Sequence, residues 1–133
     1  MRNLKVYAVS LVVLLVLDGL WLTVIAANFF QAQIGGLLRP DPNFLAAAAF
    51  YLIYTAGVAA LCVLPSMREG GFASAARRGA ILGLTAYATF DLSNLAILKG
   101  WTPLVAAVDI AWGIVVTTLV AVAGTAMGRR TGV

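Results

Sequence analysis

The sequence predicts an all-α integral membrane protein, a bundle of four transmembrane helices, and two observations support this prediction. The chain of 133 residues is 62% hydrophobic and 11% charged, with a mean hydropathy of +0.99, which leaves too little polar surface to cover a soluble domain. Its apolar residues also fall into four runs of about 20 residues or more, the length that a helix needs to cross the hydrocarbon core. Strands of a transmembrane barrel would alternate in hydrophobicity, and these runs do not.

The four runs make up one predicted transmembrane domain, residues 1–133, with helices at 4–27, 44–64, 74–98 and 103–127. The start of the first helix resembles a signal peptide, because basic residues precede an apolar run. That run is long for a signal peptide and contains Asp18, so a retained helix is expected. Residues 28–43 form a long, apolar and aromatic connection, which predicts an external loop lying along the membrane interface.

Turn and capping residues mark the helix boundaries. Asn43 is a candidate N-cap of the second helix, and Pro65 with the Gly70-Gly71 pair marks the next connection. Thr102 followed by Pro103 is typical of an N-cap and first helical position, which predicts a tight hairpin between the third and fourth helices.

The basic residues predict the orientation of the bundle. Seven of the nine lie around the start of the first helix, around the connection between the second and third, or after the fourth, and the other two, Arg39 and Lys99, lie on the opposite side. The excess places both the N-terminus and the C-terminus in the cytoplasm. It also favours contact with membrane lipids, whereas nucleic-acid binding is not expected because no folded surface remains for a basic patch.

Three of the five acidic residues, Asp18, Asp91 and Asp109, lie within predicted transmembrane helices whose cores contain no Lys, Arg or His. A carboxylate at membrane depth costs about 3 kcal/mol or more, so each needs a partner or a proton. With a rise of about 1.5 Å per residue, Asp91 and Asp109 lie about 10 Å from the external ends of their helices, and Asp18 is nearer the middle. The three carboxyls can therefore converge in the outer half of the bundle.

Helical spacing places other polar and aromatic residues on the same faces as these acids. Asp-x-x-Trp occurs in the first and fourth helices, a short echo of the kind that an inverted repeat would produce. The candidate residues for binding or proton relay are Asp18, Asp91, Asp109, Asn94, Trp21, Trp112, Tyr87 and Asn28.

Three segments carry a family resemblance: Leu-Asp-Gly-Leu-Trp-Leu around Asp18, Tyr-Ala-Thr-Phe-Asp-Leu-Ser-Asn-Leu-Ala around Asp91, and Val-Asp-Ile-Ala-Trp-Gly around Asp109. In this order they resemble a family of small bacterial membrane proteins described as a domain of unknown function. The resemblance covers nearly the whole chain. It implies a multi-pass, four-helix protein of the bacterial inner (cytoplasmic) membrane, and it brings no activity, substrate or cofactor with it.

The chemistry of these residues favours a site that binds or conducts a small polar or cationic species, with H⁺ among the candidates. The absence of His excludes a Ser-His-Asp triad, and the single cysteine, Cys62, excludes a cysteine metal cluster, so no metal or cofactor is predicted. Two alternatives remain open: the acids hold the bundle together by hydrogen bonds, or the protein is a membrane enzyme or accessory subunit acting on a lipid-phase substrate. A chain this small is also a candidate homo-oligomer.

Overall fold

The computed structural model describes residues 1–131, and residues 132–133 of the predicted domain lie outside the described part. Its described residues form helices and no β-strand. Four helical segments are long and apolar enough to cross a membrane, and they are called spans 1 to 4 below: Arg2–Ile25, Phe44–Arg68, Gly71–Ile97 and Pro103–Arg130. The predicted all-α fold with four membrane-spanning helices is confirmed, and the orientation of the termini stays a prediction.

Span 1 differs from the single helix expected over residues 4–27. It is α-helical over Arg2–Leu20 and ends in a π-helical turn, Trp21–Ile25. After Ala26 the chain enters a separate α-helix, Ala27–Ile34, and then a 3₁₀ turn, Gly35–Leu37. Residues 28–43, expected as an interfacial loop, are therefore largely helical in their first half.

Span 2 also contains a π-helical turn. It is α-helical over Phe44–Val58, passes through the π-helical turn Ala59–Val63, and continues as α-helix Leu64–Arg68, four residues beyond the expected end. The Asn43 side chain caps its start as expected, because its Oδ1 accepts a hydrogen bond of 3.0 Å from the backbone N–H of Ala46.

Spans 3 and 4 are continuous α-helices, Gly71–Ile97 and Pro103–Thr131. Gly70 precedes span 3 with φ at 93°, a conformation that favours glycine. The hydroxyl of Thr102 accepts a hydrogen bond of 3.1 Å from the N–H of Val105, which is the N-cap that the Thr-Pro sequence indicates.

Spans 3 and 4 form the closest helix pair, and glycine makes their approach possible. A Cβ added to Gly79 would lie 2.9 Å from the Thr117 carbonyl oxygen and from Thr118 Cα, and one added to Gly83 would lie 3.0 Å from Ile114 Cα. The Gly-x-x-x-Gly pattern of span 3 is therefore an intramolecular packing surface.

Span 1 packs against span 4 through one narrow stripe. Its four buried residues, Val6, Ser10, Leu14 and Asp18, recur every fourth position. Because that period repeats on one helical face, the stripe carries Asp18 into the interior as its last member.

The polypeptide crosses between two opposite sides of the bundle. Gly128, near the end of span 4, lies beside Val6 and Met67, so this side, the terminal side, carries the start of span 1 and the end of span 2. On the distal side, Gly100 lies beside Leu37, and the Thr102 hydroxyl donates a 3.2 Å hydrogen bond to Gln33.

We expect Gly83→Ala to lower the free energy of unfolding by about 1–3 kcal/mol, because the new methyl group would overlap the backbone of span 4. The matched control is Gly57→Ala in span 2, where an added Cβ meets no atom within 4 Å. This control should be neutral or stabilising by up to about 1 kcal/mol. Unfolding by dodecyl sulfate in mixed micelles, followed by circular dichroism, measures both values, and equal losses would contradict the packing described.

Candidate functional site

A cavity of about 680 Å³ lies in the distal half of the bundle and is called the acid cavity below. Asp18 and Asp109 are the charged residues in its wall. All four spans contribute to the lining, which is otherwise aromatic and aliphatic: Trp21, Leu22, Ala46, Ala47, Phe50, Tyr54, Ala86, Tyr87 and Phe90. The cavity therefore combines two carboxyls with a largely apolar wall.

The cavity opens between spans 2 and 3. The first part of span 2 packs chiefly against span 1, and the part that follows Val58 packs against spans 3 and 4. Phe50 of span 2 and Phe90 of span 3 line the cavity at this gap and are each about half exposed, at 48% and 54%.

Asp18 is buried, and each of its oxygens accepts a hydrogen bond. The Tyr51 hydroxyl donates to Oδ2, and the indole N–H of Trp112 donates to Oδ1 at 3.0 Å. Both oxygens of Asp18 are therefore bonded to side chains of other spans. Asp18 thereby links spans 1, 2 and 4.

The two Asp-x-x-Trp tryptophans meet at the same place. The rings of Trp21 and Trp112 are stacked, with centroids 4.6 Å apart and planes at 3°. Trp21 also makes an edge contact with Phe30, at 6.2 Å. The stack fixes Trp112 in the position from which it donates to Asp18.

Asp91 and Asp109 form a second acidic group, on spans 3 and 4. Their carboxyls are close enough to interact with each other, and Asp18 lies near Asp109 in the wall of the same cavity. Asp91 is fully buried, and neither of its oxygens has a hydrogen-bond donor in bonding geometry within the described structure. The indole of Trp101 approaches it, but its buried N–H is also unpaired. This pair therefore lacks the donors that Asp18 has.

Tyr87 lies between the two acidic groups. Its ring packs directly on Gly113 of span 4 and makes an edge contact with Tyr54, with centroids 6.1 Å apart. Tyr54 in turn shares a 2.7 Å hydrogen bond with Thr117. These aromatic rings separate the acid cavity from the tightly packed terminal half.

The structure does not bring all the candidate residues together. Asn28 is exposed on helix Ala27–Ile34, because the π-helical turn changes the helical phase after Asp18 and the chain bends at Ala26. Asn94 is half-buried one turn beyond Asp91 and is not part of the cavity wall. Six of the eight candidates lie in the cavity wall or directly behind it: Asp18, Trp21, Tyr87 and Asp109 in the wall, Trp112 through its bond to Asp18, and Asp91 through its contact with Asp109.

Tyr51 and Trp101 are contacts of the acids that are not among the eight candidates. Tyr51 donates a hydrogen bond to Asp18, and the indole of Trp101 approaches Asp91. Tyr51 and Tyr54 share a helical face, which was the available signal for the first contact.

A family model described as "Predicted membrane protein (DUF2177)" matches residues 3–126. The chain belongs to this family. The match includes all three membrane-embedded aspartates and confirms the resemblance that their motifs carry. No curated protein and no solved structure gives a significant match. The DUF2177 protein is thus a membrane protein of unknown function, and the geometry of its site is what indicates its chemistry.

In this DUF2177 protein we expect Asp18→Asn to lower the free energy of unfolding by about 1 kcal/mol, because the Trp112 indole and the Tyr51 hydroxyl bond a neutral amide less strongly than a carboxylate. Asp91→Asn should change it by less than about 0.5 kcal/mol, since the new side-chain amide can donate to Asp109. The exposed Asp41→Asn is the control for the same chemical change. Detergent unfolding of the three variants provides the comparison, and a larger loss for Asp91→Asn than for Asp18→Asn would contradict this assignment.

Proposed function

We propose that the protein binds the cationic or polar group of a small, membrane-soluble molecule in the acid cavity. One observation carries the proposal: Asp18 and Asp109 face a common cavity whose wall contains no Lys or Arg. A negative site at membrane depth is stable only with a proton or a positive partner. The protein's own side chains supply hydrogen-bond donors to Asp18 and leave the Asp91–Asp109 pair without them.

Without a bound cation, Asp91 and Asp109 share a proton. Two interacting carboxyls in a medium of low dielectric constant do not both carry charge without a cation, and they titrate as a pair. A ligand's positive group that approaches Asp109 would take over the role of this proton. Binding of the cation and release of H⁺ are then coupled at one place.

The aromatic content of the wall supports an organic cation. Tyr54, Tyr87 and Phe50 present ring surfaces around the acids, and rings attract ammonium groups through their π faces. No group of three or more acidic or cysteine side chains in the described residues is arranged to hold a metal ion. An ammonium group, attracted by carboxylate and by ring, fits this wall better than a bare metal ion.

The position of the opening supports a ligand that also has an apolar part. The gap between spans 2 and 3 is bordered by Phe50 and Phe90, and the cavity volume is within the range of about 300–1,000 Å³ found for small-molecule sites. An amphiphilic amine could place its chain among these residues and its ammonium group beside Asp109. A fully hydrated ion would not enter through an opening bordered by these apolar rings.

A set of three ten-carbon probes tests the charge preference. Decylammonium should bind at least about tenfold more tightly than decanol, because a hydrogen bond to a charged group contributes about 1.5–3 kcal/mol. Decanoate should bind most weakly. Quenching or shift of tryptophan fluorescence reports binding, since Trp21 and Trp112 stack beside the cavity.

Asp109→Asn should abolish the preference for decylammonium over decanol while the protein remains folded, and Asp41→Asn should retain it. The two variants lose the same charge, one in the cavity wall and one in an exposed position. Equal binding of the three probes by the unaltered protein would refute the proposal. So would an unchanged preference in Asp109→Asn.

Coupling to protons is measured separately. Addition of decylammonium to the protein in weakly buffered micelles at neutral pH should release up to about one proton for each cation bound, since the Asp91–Asp109 pair titrates as a unit. Asp91→Asn should reduce this release by more than half and still bind decylammonium, because Asp109 remains. Proton release that is unchanged in Asp91→Asn would show that the proton comes from another group.

A further inference from the structure

A second cavity, of about 670 Å³, lies on the terminal side, at the opposite end of the bundle from the acid cavity. It is formed at the connection between spans 2 and 3. Three arginines line it, Arg68, Arg77 and Arg78, together with one acidic residue, Glu69, and the helix-starting residues Gly70 and Ser74. Three guanidinium charges against one carboxylate leave the wall positively charged.

One of these arginines is held in place by the backbone of span 2. Pro65 has no N–H to donate to the carbonyl of Leu61 four residues earlier. The Arg78 Nη1 lies 3.5 Å from that carbonyl, and its Nε donates a 3.1 Å hydrogen bond to Ser74. Ser74 is itself buried and accepts a 3.0 Å hydrogen bond from Ser66. The guanidinium is thereby fixed beside the cavity by neutral groups, and its charge is not cancelled.

The start of span 3 adds to the positive character of this cavity. Gly70 and Ser74 bring the first turn of a 27-residue helix into the wall, and no side chain caps its N-terminus. The helix dipole places partial positive charge there, which favours an anion. Arginine forks and helix N-terminal amides are both suited to phosphate oxygens.

We propose that this cavity binds the phosphate group of an anionic phospholipid. The chemistry of the wall is that of a phosphate site, and its place in the fold favours a lipid as the source. It lies where spans of 25 and 27 residues end, at the level expected for lipid headgroups. Phe72, exposed beside it and in contact with Arg129, offers a surface for the adjoining acyl region.

The full-length protein in nanodiscs of phosphatidylcholine, with and without phosphatidylglycerol, tests the proposal. Phosphatidylglycerol should bind the unaltered protein in native mass spectrometry, and the double variant Arg68→Gln/Arg77→Gln should weaken its binding at least about tenfold, because hydrogen bonds between guanidinium and phosphate are lost. These positions leave the structural bonds of Arg78 intact. Arg2→Gln/Arg130→Gln, with the same charge change on the same side, should change binding less than about threefold.

Three outcomes would overturn the proposal. Equal weakening in both double variants would mean a diffuse charge effect, and equal binding of phosphatidylcholine and phosphatidylglycerol would mean that the cavity has no preference for anionic lipid. Displacement of the lipid by inorganic phosphate with comparable affinity would identify a soluble phosphate compound as the ligand. The decylammonium preference is measured at the opposite end of the bundle, so the two proposals can fail independently.

Discussion

The pairing of carboxyl groups at membrane depth is the constraint on which the distal half of this structure depends. Lipid offers no water to solvate Asp18, so Tyr51 and Trp112 must approach it from two other spans. These two hydrogen bonds hold span 2 against span 1 and place Trp112 where its ring stacks on Trp21. The terminal half has no such demand and is closed by glycine and small side chains. Spans 3 and 4 are therefore tightly packed in the terminal half, the acid cavity lies in the distal half, and the arginine-lined cavity lies outside this packing, at the connection between spans 2 and 3.

Both π-helical turns lie next to polar features of the spans that contain them. The turn Trp21–Ile25 follows Asp18 by three residues and accompanies the placement of Trp21 on Trp112. The turn Ala59–Val63 precedes Pro65, which has no N–H to donate to the Leu61 carbonyl, and Arg78 approaches that carbonyl. Irregular backbone in a membrane is stable only where protein groups satisfy it. In this chain, each π-helical turn therefore lies close to one of the two candidate sites.

Hydropathy and helical periodicity were sufficient to predict the four spans and the common helical face of Asp18 and Trp21. These features follow from residue type and a period near 3.6, which are properties of one helix at a time. The donors to Asp18 depend on which helices are neighbours, and a single sequence does not contain that information. Asn28 shows a different limit, because one π-helical turn after Leu20 shifts the phase of every residue beyond it.

The two Asp-x-x-Trp motifs have the same spacing but different surroundings. A reciprocal arrangement would pair Trp112 with Asp18 and Trp21 with Asp109. Trp112 donates to Asp18, whereas the buried N–H of Trp21 has no partner in the described structure. Asp18 is thus satisfied by the protein, and Asp109 faces the cavity with Asp91 behind it. A carboxyl with two fixed donors stabilises a fold, while one whose neighbour is another unpaired carboxyl is available to a proton or a ligand. The proposed ligand site therefore depends on Asp91 of span 3 and Asp109 of span 4. The hydrogen bonds of Asp18 hold together the spans that form the cavity.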